Sequence, residues 1–161
     1  MSGYDLLKTA HVLGACVVFG TGLGIAFFCW FGYRGAVRSG DIGALRSVLR
    51  LTVIADAWLT APAVAFQAAS GLALMDRAGW PLLSQWSLAV GSLFLFAGAC
   101  WIPVLGIQAY LGRMARKVPS VEWLPRGFHL WFGLWFGLGT AAFAAVIALV
   151  WLMVAKPLAV V

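Results

Sequence analysis

Charge is what this chain has least of. Asp, Glu, Lys and Arg make up only 10% of its 161 residues, while 63% are hydrophobic. Soluble domains carry roughly 25% charged and 45–50% apolar residues. A soluble fold of this size could not cover so much apolar side chain. Acidic residues are scarcest, five against eleven basic, for a net charge of +6. The basic residues fall in two short stretches between apolar runs, the pattern of loops facing anionic lipid rather than of a groove for phosphates, so nucleic acid is excluded as a partner. Phosphate loops, HExxH, nucleophile elbows and paired carboxylates are missing, and with them any recognised catalytic motif. Cysteine occurs three times, at Cys16, Cys29 and Cys100. Each lies inside an apolar run with no CxxC spacing, which suits buried free thiols used as small hydrophobes.

What is present is length without charge. Four runs follow one another, over residues 9–33, 51–75, 83–111 and 127–155. Each exceeds the ~20 residues that a spanning helix needs, and none shows the short alternating segments of a barrel. The expected fold is therefore an all-α, four-helix transmembrane bundle forming one domain over residues 1–161. The first run is too long for the core of a signal peptide and reads as a retained span.

The loops set an orientation. Between the first two spans, Ser39-Gly40-Asp41 reads as a break and a helix cap, after which Ile42, Leu45, Val48 and Leu49 share one face. Residues 41–50 are thus expected to form an amphipathic cytoplasmic linker at the membrane surface, its arginines solvated and facing lipid headgroups. The first and third loops hold Arg34, Arg38, Arg46, Arg50, Arg113, Arg116, Lys117 and Arg126, whereas the termini and second loop hold Lys8, Arg77 and Lys156. The bias predicts both termini outside, in the periplasm, and a place in the inner (cytoplasmic) membrane of a bacterium. Pro62 and Pro103 should kink the second and third spans. Gly20/Gly24 and Gly133/Gly137 are small-residue pairs through which the first and fourth spans are expected to pack, on each other, on a second copy or on a partner membrane protein.

Two places hold residues able to do chemistry. His11 lies near the outer end of the first span, where a polar ring needs a partner or a job. It hydrogen-bonds to a neighbouring helix, snorkels to the headgroups, or ligates a metal or haem b, with Met153, Lys156 or no second protein ligand opposite. His129 begins the fourth span at the other side of the membrane, roughly 25–30 Å away at 1.5 Å per residue, so one iron cannot bridge the two histidines. At the inner level Thr52, Asp56, Gln108, Arg126 and His129 form a polar cluster. A carboxylate within a span must be neutral, paired or wet. Arg50, Arg126 or protonated His129 would pair Asp56, and a proton or substrate site is the alternative. Gln67 is expected to hydrogen-bond between helices. Trp30, Trp80, Trp86, Trp123 and Trp151 suit an interfacial belt, while Trp58, Trp101, Trp131 and Trp135 lie deeper, as packing residues or the wall of an apolar pocket.

The order of several motifs is distinctive. Leu7-Lys8-Thr9-Ala10-His11-Val12-Leu13-Gly14-Ala15 with Phe19-Gly20-Thr21-Gly22 comes first, then Ala55-Asp56-Ala57-Trp58 with Pro62. Gln67, Gly71, Leu74 and Met75 follow, and Trp151-Leu152-Met153-Val154-Ala155-Lys156-Pro157 closes the chain. Together they resemble a family of predicted bacterial integral membrane proteins, the domain of unknown function numbered 2269. The resemblance implies fold and location, not chemistry. The first span alone, with Lys8, His11 and the glycines after it, is also similar to the start of haem-binding membrane protoporphyrinogen oxidases and of copper-resistance membrane proteins. The oxidases carry a Trp-Phe-x-Gly-Leu-Phe pattern where this chain has Val18-Phe19-Gly20-Thr21-Gly22. Three functions are expected on these grounds: a membrane protein binding haem b near His11, a non-catalytic accessory or assembly protein, or a small transporter of metal or protons using Asp56 and His129.

Overall fold

The computed structural model describes residues 2–156, and among these every regular element is helical. Helix α1 spans Gly3–Ser39. It opens on a capping box in which the Ser2 hydroxyl accepts from the Asp5 amide and the Asp5 carboxylate accepts from the Ser2 amide. It closes at Gly40, whose φ of 69° is left-handed and suits glycine. Its 37 residues make a rod about 55 Å long, well beyond a hydrocarbon core of ~30 Å.

Asp41 then caps α2 (Ile42–Ala55), its carboxylate accepting from the Ala44 amide at 2.9 Å. No corner separates α2 from the second span. It passes through one π-helical turn, Asp56–Thr60, into α3 (Ala61–Arg77), so that residues 42–77 form a single long helix. Pro62 accounts for the irregular turn. Proline has no N–H to give and its ring crowds the carbonyl four residues back. One extra residue in the turn relieves both, and the Ala61 amide reaches the Asp56 carbonyl instead. Pro103, by contrast, sits within an unbroken α4 (Gln85–Arg116), which starts on a Ser84 cap. A 3-10 turn, Val121–Trp123, leads into α5 (Arg126–Ala155). The helices over Gly3–Ser39, Ile42–Arg77, Gln85–Arg116 and Arg126–Ala155 are long and apolar enough to cross a membrane.

The core lies toward the basic end of the bundle. Cys29 and Ala36 of α1, Leu45, Val48 and Leu49 of α2, Val104, Ile107, Leu111 and Ala115 of α4, and Phe128, Phe132 and Trp135 of α5 form one buried cluster. Val121 and Leu124 of the last loop close it. The apolar face of residues 42–50 is therefore spent on α1 and α4 rather than on lipid. One loop arginine also departs from expectation. Arg46 turns inward and donates to the Ala115 and Val118 carbonyls at 3.1 and 2.7 Å, capping the free end of α4 instead of facing headgroups. Close approach at this end depends on Gly32, where a Cβ would lie 2.6 Å from a Val48 methyl.

Toward the terminal end the bundle is arranged in pairs. Helix α3 packs chiefly on α1, and α4 on α5. The buried residue of α3 is Ser70, and those of α1 are Cys29 and Ala36, both in its basic half. Gly20, Gly24, Gly133 and Gly137 have open space where a Cβ would stand, so within one chain these glycine faces do not pack as expected.

Candidate functional site

Polar residues recur along the 42–77 helix at Thr52, Asp56, Thr60, Gln67 and Ser70. Spacings of four, four, seven and three residues keep them near one face. Thr52, Asp56, Thr60 and Ser70 are all buried. The row covers about 27 Å of axis at 1.5 Å per residue, close to the thickness of a hydrocarbon core. Its hydroxyls largely satisfy themselves. Thr52 donates to the Val48 carbonyl at 3.0 Å and Ser70 to the Phe66 carbonyl at 2.6 Å. Such bonds to the preceding turn let Ser and Thr sit cheaply inside a span. Thr60 instead reaches across to the Thr21 hydroxyl of α1 at 3.2 Å, and Thr21 donates to the Val17 carbonyl.

Asp56 has no such local answer. It is 4% exposed and stands at the first residue of the π-helical turn. Its Oδ2 accepts from Gln108 Nε2 of α4 at 2.8 Å, and Gln108 Oε1 accepts from Trp135 Nε1 of α5 at 3.2 Å. Two donors in series thus join three helices through buried atoms. The expected partners Arg50, Arg126 and His129 do not take this role. Arg50 and Arg126 are exposed, and His129, also exposed, hydrogen-bonds through Nδ1 with the Tyr33 hydroxyl. An amide supplies the contact because Gln108 lies at the depth of the carboxyl, whereas the charged heads stay at the basic end. Of the polar cluster read from the sequence, Asp56 and Gln108 are joined directly and Thr52 lies one turn away.

His11 belongs to the α1–α3 seam. Its Nδ1 lies 2.7 Å from Ser70 Oγ. Since the Ser70 proton goes to the Phe66 carbonyl, Ser70 accepts here and His11 Nδ1 donates. The neutral ring then carries its lone pair on Nε2. Gln67 Nε2 donates to the His11 carbonyl at 2.9 Å, the interhelical bond expected of it, while Gln67 Oε1 is buried with no protein partner. Two glycines permit the fit. A Cβ on Gly71 would stand 3.4 Å from His11 Cε1, and one on Gly14 would stand 3.0 Å from the Phe66 ring.

Nothing in the structure supports a haem or metal centre at these residues. The imidazole lies against Gly71 and is hydrogen-bonded to Ser70. Met153 is exposed near the end of α5, a segment held to α4 by the bond from Trp86 Nε1 to the Leu152 carbonyl at 3.1 Å. Lys156 places its ammonium 5.6 Å above the Trp80 ring. Among the described residues no group of three or more His, Cys, Asp or Glu side chains is placed to hold a metal ion. Nor do the deeper tryptophans wall one pocket. Trp135 is buried and Trp58 is 76% exposed, as a lipid-facing side chain would be. The sequence does not point to Tyr33, Thr60 or Ser70 as site residues, and it offers Thr21 only as part of a motif. The spacing around Asp56 was the signal that could have found Thr60 and Ser70.

Four long apolar helices with polar side chains turned inward define an integral membrane protein, whose solvent over those helices is a lipid bilayer. The chain belongs to the family described as predicted integral membrane protein, DUF2269, which matches residues 5–157. Pro157, which ends the closing motif, lies outside the described residues. Neither a curated protein nor a solved structure matches the chain.

Proposed function

We propose that the protein carries protons across the membrane beside its second span, with Asp56 as the group that binds and releases them. The observation that carries this reading is a carboxyl buried to 4% exposure whose partner is a neutral amide rather than a cation. Ionisable side chains inside a bilayer are costly and mark relays or ligand sites more often than they mark packing. Self-satisfied hydroxyls explain the rest of the polar row as helix fastening, but not Asp56. The π-helical turn at this residue supports the same reading, because such turns occur frequently at functional sites. On this reading the path meets the cytoplasm near Tyr33 and His129, which are hydrogen-bonded to each other. The Lys and Arg bias supports a basic cytoplasmic face, with both termini periplasmic and the protein in a bacterial inner membrane.

The test is proton flux into vesicles holding the purified protein and a trapped pH dye. Under an imposed pH gradient the wild type is expected to conduct, and Asp56→Asn to abolish flux with helicity and elution volume unchanged. Equal flux in the two proteins overturns the reading.

The accessory reading is favoured by one separate observation. The Gly20/Gly24 and Gly133/Gly137 faces are open within the chain, leaving room for a second copy or a partner helix. Replacing Gly133 and Gly137 by leucine should then release a co-purifying membrane partner. A protein that is monodisperse and alone in mild detergent counts against it.

A further inference from the structure

The α1–α3 seam holds two hydrogen-bond acceptors that no protein group answers. One is Gln67 Oε1, a buried atom without a partner. Its amide cannot simply flip, because the other end donates to the His11 carbonyl and a flipped oxygen would oppose that oxygen. The second is His11 Nε2, left as the lone-pair nitrogen because Nδ1 donates to Ser70. Both lie where α3 meets residue 11, the Gln67 amide against its carbonyl and the ring against Ser70 and Gly71. A buried acceptor without a protein donor, as Gln67 Oε1 is, is answered by ordered water at a real cost if it is removed, and the half-buried His11 ring can share that water. No anion can serve here, and a metal ion would lack the ligands it needs.

We propose that His11 Nε2 and Gln67 Oε1 form a site for water or hydronium, the outer mouth of the path that ends at Asp56. This rests on the proton-carrying reading. His11 takes up a proton on Nε2 and keeps Nδ1–H on Ser70, so protonation leaves the helix fastening intact while placing a mobile proton at the mouth. The α3 residues against the ring, Ser70 and Gly71, do not titrate, and neither does Gln67 at the His11 carbonyl. On its own helix the nearest charge is Lys8, one turn toward the N terminus, and Arg77 of α3 is held at the Gly3 carbonyl beyond it. The ring therefore answers chiefly to the pH of the outer solution.

The decisive variant is His11→Asn. The asparagine amide reproduces the Nδ1 donor to Ser70 and removes the Nε2 acceptor. In reconstituted vesicles, wild-type flux should rise as the outer solution is acidified, and His11→Asn should lose that acid-stimulated part while remaining folded. Nitrogen-15 spectra of the full-length protein in lipid nanodiscs give a readout independent of flux. The resonances absent from His11→Asn should show an Nδ1–H tautomer in contact with water and become doubly protonated on acidification. Wild-type flux and pH profile in His11→Asn overturn the proposal and leave Asp56 untouched. Flux that survives Asp56→Asn defeats the proton-carrying reading instead. A ring without water contact that stays neutral until unfolding overturns the site whatever the flux shows.

Discussion

The two halves of this bundle are held together by different means. At the basic end, large side chains from four helices and a loop interlock around Phe128, Leu45, Leu49 and Leu111, and arginine caps a helix from inside. At the terminal end the fastening is done by small residues and single hydrogen bonds. His11 meets Ser70, Gln67 meets the His11 carbonyl, and Trp86 meets the Leu152 carbonyl. In lipid there is no hydrophobic drive to bring helices together, so packing detail and polar contacts carry association. The basic half relies on large side chains, and the terminal half on close approach and single polar contacts. The proposed path for protons would be better served by a terminal half of the second kind. The Asp56–Gln108–Trp135 chain stands between the two and belongs to both.

The sharpest way to break the comparison is to hollow out the packed half. Phe128 is fully buried and lies in the aromatic group with Tyr33, so Phe128→Ala should cost about 3–5 kcal/mol in reversible unfolding from detergent. Leu13→Ala in the terminal half removes an exposed side chain and should cost within about 0.5 kcal/mol. Equal losses would mean that the terminal half is packed as tightly by contacts outside the chain. Crowding is the converse probe. Gly32→Ala drives a Cβ into Val48 and should cost about 1–3 kcal/mol. Gly24→Ala meets open space and should be neutral or slightly stabilising, since alanine favours helix by roughly 1 kcal/mol over glycine. A destabilised Gly24→Ala would instead reveal a covered face. Gln108→Leu strands the Asp56 carboxyl and the Trp135 indole together, and a loss of about 1–3 kcal/mol is expected on the same unfolding assay. A stability equal to wild type would show that the chain from α4 to Asp56 does not hold the helices.

The contrast also marks what could be read from residues alone. Local signals were legible. Asp41 announces a cap, and Leu45, Val48 and Leu49 announce a face, because both follow from the period of one helix. The prominence of Asp56 was equally plain, as a lone charge in an apolar run. Its partner was not, because Gln108 is 52 residues away and meets it only through the rotation of α4 about its axis. Arg46 looked like its neighbours in the loop, and nothing local says that its head reaches the end of another helix. Pro62 promised a bend, yet the chain absorbed it as a π-helical turn that begins at Asp56. Ser70 was overlooked because serines inside spans usually answer their own helix. This one does that and also receives His11.

The smallest expected effect concerns that serine. Ser70→Ala deletes the acceptor for His11 Nδ1 but leaves the close approach at Gly71 and Gly14 untouched. Interhelical hydrogen bonds in membrane proteins average about 0.6 kcal/mol, because the separated helices also find partners. His11 is only half-buried, so its freed N–H can turn toward water or headgroups near the end of the span. A loss near that average is expected, well below the loss in Gln108→Leu, where both stranded groups lie deep among the helices. A Ser70→Ala loss as large as that of Gln108→Leu would erase the distinction between the halves. It would make the α1–α3 seam a rigid clasp, in which a mouth for water has no room to open.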